Sequence, residues 1–175
     1  MLDKYNRYKL LKIFLDNPTE SFRLRELSRL SKISPPSVIN YLKEFINQEI
    51  VIKITNKKNP IYKSNRDNED FKHFKKLSIL FEIHKSGLID FIWEKLAPDA
   101  IVLYGSSSKG ESIENSDIDI FIVGKYKEID ISKYEKRLIQ PIHLMGDELK
   151  NTSKEFRNNL INGIILKGYL KILWW

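Results

Sequence analysis

Residues 101–123, IVLYGSSSKGESIENSDIDIFIV, constrain this chain more than any other stretch. Ile101-Val102-Leu103-Tyr104 is short, apolar and partly β-branched, the pattern of a buried strand. Gly105-Ser106 interrupts it, a polar loop is expected through Asn115, and Ser116 to Val123 resumes as a second strand. In that strand Ile118, Ile120 and Ile122 should point one way and Asp117 and Asp119 the other, because strand side chains alternate. At this spacing the Cα atoms of the two acids lie about 6.6 Å apart on one face, so their oxygens can converge on a hard divalent cation. Two unpaired acids side by side repel, and a cation relieves that. Gly105 has no Cβ and lets the backbone approach a ligand. Ser106 and the N–H groups that follow, beginning with Ser107, can hold phosphate oxygens. Lys109 is a further candidate phosphate contact, with simple solvation the alternative. Phosphate on the loop and a metal on the carboxylates make a site for a nucleoside triphosphate with Mg²⁺ (or Mn²⁺). Gly-Ser alone is a turn and Asp-x-Asp alone a solvated strand face. The specificity lies in their order, with ten residues between Ser106 and Asp117.

The Gly105, Ser106, Asp117, Asp119 arrangement resembles the nucleotidyltransferase superfamily of DNA polymerase beta and kanamycin nucleotidyltransferase, above all its minimal nucleotidyltransferase branch. Tyr104, Lys109-Gly110 and Ser116 also fit that branch. The likeness covers loosely the last ~80 residues and is specific between Leu103 and Val123. The resemblance implies nucleotidyl transfer: an acceptor attacks the α-phosphate of a nucleoside triphosphate and pyrophosphate leaves. Asp117 and Asp119 would be the catalytic and metal-holding acids; Gly105, Ser106, Ser107 and Lys109 would hold the triphosphate. Relatives of full strength carry a third carboxylate on a later strand. That strand is expected at Ile139–Met145, IQPIHLM, with Gln140 at the matching position. An amide cannot take a proton at neutral pH. His143 could serve as a base, yet alternation turns it away from Gln140, and Asp147 is expected beyond the strand end. Two readings follow. One is a Mg²⁺-dependent transferase moving a nucleoside monophosphate, AMP from ATP in the first instance, to a protein or small-molecule acceptor. In the minimal branch that acceptor can be a tyrosine of a HEPN-type partner toxin, with the chain as antitoxin. The other is a transcriptional regulator whose nucleotidyltransferase-like domain binds nucleotide or a partner without catalysis.

The rest of the chain adds a second module. Of 175 residues, 42% are hydrophobic and 30% charged, which suits one or two small domains with cores of their own. The absence of cysteine excludes disulfides and thiolate metal sites. The first residues lack the apolar core of a signal peptide and no run is long enough to cross a membrane, so a cytoplasmic protein without membrane contact is expected. The net charge of +7 is unevenly spread: residues 1–66 hold 14 Lys and Arg against 6 Asp and Glu, residues 67–175 hold 16 against 17. The excess is confined to the N-terminal third, as in a nucleic-acid-facing module joined to a near-neutral one.

Helical periods are expected from Tyr5 to Leu15, from Leu24 to Leu30 with Leu24, Leu27 and Leu30 inward, and from about Ser37 to Gln48 behind a Ser34 cap and Pro35-Pro36. Thr19 to Phe22 is expected only to lead into the second helix. Strands are expected at Ile50–Ile54 and Ile61–Lys63 around a turn at 56–60. Three helices and a basic hairpin resemble the winged helix-turn-helix regulators, a resemblance that implies a DNA partner. It puts Ser37, Asn40 and Lys43 on the groove-facing side of the third helix, Lys57 and Lys58 at the wing tip, and Arg25 and Arg29 over the backbone. A solvated face used for protein contact is the alternative. Fold class is thus α+β: a winged helix (1–66), a linker helix (67–86) that could form a homodimer contact or plain core, and a nucleotidyltransferase-like mixed sheet flanked by helices (87–175). In the last part, helices are expected at Leu88–Leu96 and Ile131–Leu138, another helix begins at Gly146-Asp147, and Phe156–Leu173 is expected to supply helical cover for the sheet. Trp174-Trp175 carry no assigned role.

Overall fold

The computed structural model describes residues 5–56 and 59–171. The chain divides into two compact units, residues 1–78 and 79–175.

In the first unit α1 (Asn6–Asp16) is followed by β1 (Ser21–Arg23), α2 (Leu24–Ser31), α3 (Pro35–Asn47), β2 (Val51–Asn56) and β3 (Asn59–Ser64). Ser34 stands at the N-cap position of α3, its hydroxyl on that of Ser37 rather than on a backbone N–H, and the two prolines open the helix, where a missing N–H costs nothing. Phe14, Phe22, Leu27, Val38, Leu42 and Phe45 are buried in one core, with Phe14 and Phe22 edge to face at 5.6 Å. Two expectations need correction here. Residues 21–23 are not a lead-in but a strand, pairing antiparallel with β3 in a sheet ordered β1-β3-β2. Leu30 does not face inward; it is half exposed, because α2 turns only Leu27 fully into the core. The hairpin ladder runs out to Asn56 opposite Asn59, so Lys57 and Lys58, expected at a wing tip, lie outside the described residues.

α4 (Glu69–Ser86) carries the division between the units. The second unit continues with α5 (Leu88–Leu96), β4 (Ala100–Leu103), α6 (Gly105–Lys109), β5 (Ile118–Val123), α7 (Ser132–Leu138), β6 (Ile142–Asp147), a 3₁₀ turn (Leu149–Asn151), α8 (Lys154–Ile161) and β7 (Ile164–Gly168). Its sheet is mixed and ordered β6-β5-β4-β7, antiparallel except for β5 against β6. All four residues of β4 are buried, so both faces of the sheet are covered. Ile101, Leu103, Ile118, Ile120 and Ile122 pack into a layer with Ile83, Leu88 and Ile92. On the other face Val102, Tyr104, Phe121, Val123 and Leu160 form a smaller core, against which Phe156 packs edge to face with Tyr104 and Phe121, 5.3 Å from each ring.

Four C-terminal expectations are corrected. Gly105 to Lys109 coils into a short helix rather than an open loop. β6 begins at Ile142, because Pro141 cannot donate to the ladder, and its carbonyl accepts from Ile118 N instead. Gly146 and Asp147 end that strand instead of starting a helix. The segment after Ile161 does not remain helical: Ile164 to Gly168 returns as a strand along β4. Residues 172–175, with both terminal tryptophans, lie outside the described residues.

Candidate functional site

Gly105 leaves β4 with φ +70°, in the left-handed region that an L side chain enters only at a cost. A Cβ at that position would overlap Asp119 Oδ2 and stand 3.2 Å from its Cγ. The glycine therefore brings the chain directly against the carboxylate of the neighbouring strand. Tyr104 N donates to Asp119 O at 3.0 Å, fixing the two strands where the turn begins. α6 then carries Ser106 and Ser107. Ser106 is partly accessible, Ser107 is 1% exposed, and Lys109 at the helix end is exposed. Ser108 Oγ donates to Gly105 O at 2.8 Å, and Gly110, left-handed, ends the turn with its N–H on Ser107 O. Glu111 N donates to Ser106 O at 3.0 Å, so the segment folds back on itself before reaching Asp117. Ser116 holds the approach to β5 by accepting from Ile113 N at 2.9 Å.

Asp117 immediately precedes β5 and is exposed; Asp119 lies within the strand and is half-buried. Ile118, Ile120 and Ile122 are buried in the larger core, so alternation turns Asp119 to the other face, beside Gly105. The expected third position is corrected. Gln140 lies outside β6, and the parallel register sets His143 opposite Asp119. His143 Nδ1 and Asp119 Oδ1 are 3.3 Å apart, with the imidazole side chain about half exposed. The strand starts three residues later than the expected Ile139, and Pro141 is the sequence signal for that later start. Tyr104 closes the floor. Its phenol donates weakly to Met145 Sδ at 3.8 Å, and burial, with a smaller contribution from the Asp119 charge, pushes its pKa up.

Among the described residues no three His, Asp or Glu side chains gather into a ready-made metal cage. Two carboxylates, one exposed and one pinned against a glycine, fit a different arrangement: a hard cation bound by one or two protein oxygens and completed by substrate phosphates and water, as Mg²⁺ prefers. Arg25, Arg29, Asn40 and Lys43, in the first unit, are exposed; Ser37 is partly buried and its hydroxyl lies 2.9 Å from that of Ser34. Among the described residues no helix is long and apolar enough to cross a membrane.

No curated protein and no solved structure matches the chain. A family model described as polymerase beta nucleotidyltransferase matches residues 86–168, the stretch that holds Gly105, Asp117 and Asp119, and this supports a nucleotidyltransferase-superfamily domain there.

Proposed function

We propose that the second unit binds a nucleoside triphosphate, ATP in the first instance, and transfers its nucleoside monophosphate to a protein or small-molecule acceptor with release of pyrophosphate. The observation that carries this reading is the contact of Gly105 with the Asp119 carboxylate, next to Asp117 at the strand entry. Asp117 and Asp119 would hold Mg²⁺ or Mn²⁺, and the bound cation supplies charge neutralisation at the phosphoryl oxygens. The turn at Gly105 and Ser106 brings backbone N–H groups to the same place, and a helix as short as α6 leaves its first N–H groups without intrahelical partners. Lys109, exposed at the end of α6, supplies a mobile positive charge for the outer phosphates. Ser107 contributes through its backbone, since its side chain is buried. His143, on the strand next to Asp119, occupies the place where a third carboxylate would otherwise stand; its imidazole is the group available to receive the acceptor's proton.

The test is incubation of the protein with α-labelled ATP, Mg²⁺ and candidate acceptors, including a HEPN-type partner protein. Label transfer that is lost in Asp117→Asn and in Asp119→Asn supports the reading. Transfer unaffected by either change overturns it.

A second reading, a DNA-binding regulator, is favoured by the first unit. Three helices with a strand pair and an added β1, exposed cations on α2 and α3, and a net charge of +8 over residues 1–66 are what a winged helix on DNA requires. The two readings are compatible, because a transferase of this kind can also repress its own promoter.

A further inference from the structure

A cavity lies at the end of the sheet opposite the acidic pair within the same unit. It is a cleft of about 710 Å³ at the other end of β4 and β5, where Asp99 enters one strand and Gly124 leaves the other. Asp119 is four residues upstream of Val123, about 13 Å along an extended strand, so the two sites are separate. The volume is that of a pocket for a small organic ligand. Its wall is apolar, formed by Leu96, Val123, Leu149 and Ile161.

The charges around this wall do not cancel. Lys150 Nζ pairs with Glu148 at 2.6 Å and Lys171 Nζ with Asp99 at 3.7 Å, which uses both acids of the cleft. Lys125 and Arg157 remain. Lys125 is exposed and has no ion-pair partner among the described residues. Arg157 gives Nη2 to the carbonyls of Lys150 at 3.4 Å and Thr152 at 3.2 Å. Its Nε is shut from solvent and has no acceptor among the described residues. Arg157 is partly buried, its Nη2 meets only carbonyls, and its Nε is a donor without water or acceptor, so no acid among the described residues pairs with its charge and an anion can offset it.

We propose that this cleft is a second ligand site, taking an amphipathic organic anion whose alkyl or aromatic body lies on the apolar wall and whose single acidic head group meets Lys125 and Arg157. The site does not depend on nucleotidyl transfer, and its ligand need not be a nucleotide.

Decanoate is a suitable probe, titrated calorimetrically into the full chain, with decanol as its uncharged counterpart and anilinonaphthalene sulfonate as a fluorescent competitor. Decanoate should bind saturably at one site and displace the sulfonate. Because the head group meets a cation, Lys125→Glu should weaken decanoate about tenfold and leave decanol unchanged. Ile161→Trp, which narrows the mouth from an exposed helix end, should weaken both. Asp117→Asn and Asp119→Asn should change neither. The proposal fails if decanoate does not saturate, if Lys125→Glu and Arg157→Lys both leave its affinity unaltered, or if the acidic-pair variants abolish it, which would place the ligand at the other site.

Discussion

Gly105 and Asp119 touch across two neighbouring strands so closely that the glycine position has no room for even a methyl group beside the carboxylate. Gly105→Ala therefore has two costs: the strain of a left-handed backbone at φ +70° and the overlap with Oδ2. Together they should lower stability by about 1–3 kcal/mol. Asp119 is forced aside in the process, so nucleotide binding should fall by more than the loss of stability explains. Chemical denaturation alongside ATP–Mg²⁺ titration separates the two effects.

Removing one charge from the acidic pair should abolish transfer while leaving the fold intact. Asp117 is exposed and, among the described residues, Asp119 has His143 as its side-chain partner, so neither substitution by Asn leaves a buried charge unpaired. Loss of carboxylate support for a cation on reacting phosphates should cost on the order of 10²-fold or more in rate. Single-turnover label transfer is the measurement, with circular dichroism to confirm folding.

His143→Asp restores a carboxylate where the parallel register sets it opposite Asp119. If that position receives the acceptor's proton, the aspartate variant should retain or exceed wild-type transfer, whereas His143→Ala should lose about 10²-fold. ATP–Mg²⁺ affinity should change little in His143→Ala, since the imidazole is half exposed and lies to one side of the acid. Equal rates in all three proteins would remove His143 from the reaction.

Tyr104 gives an alkaline signature. Burial, then the Asp119 charge, raises its pKa, so the fold favours the neutral phenol. The sign follows: this contribution is whole below about pH 10, the ordinary tyrosine value, and is lost as pH rises through the higher folded value. Tyr104→Phe should flatten the fall in stability above that pH. At neutral pH it should cost within about 1 kcal/mol, because only the long contact to Met145 sulfur is lost. Tyr126, raised for the same main reason, will supply part of the remaining slope.

DNA binding by the first unit is tested through salt. If Arg25 and Arg29 each neutralise a phosphate, the slope of log affinity against log salt should fall by about 0.9 for each one changed to Ala. Asn40→Ala should instead relax preference among sequences and leave the slope alone. No salt-dependent binding by the wild-type chain would end this reading.

Helices α1 to α5 and strands β4 and β5 are legible because local pattern decides them. The three isoleucines of β5 announce a buried face by alternation alone, and the prolines after Ser34 announce the start of α3. What escaped were elements set by distant partners. β1 is three residues long and exists only because β3 lies beside it. β7 has the apolar content of a helix and becomes a strand because β4 offers an open edge. The place of His143 depended on a register that one proline shifted. The cleft was invisible for the same reason: Lys125 and Arg157 are far apart in sequence and ordinary by themselves.

β4 pairs with β5 on one side and with β7 on the other, and β7 follows both in the sequence by more than forty residues. During synthesis β4 and β5 can pair early, whereas β4, which leads into Tyr104 and Gly105, keeps a bare edge until Gly168 has left the ribosome. The acidic pair should therefore reach its working rigidity only after β7 has emerged, and nascent chains stopped at Gly163 should be protease-sensitive around Ala100–Leu103 even with every catalytic candidate already translated.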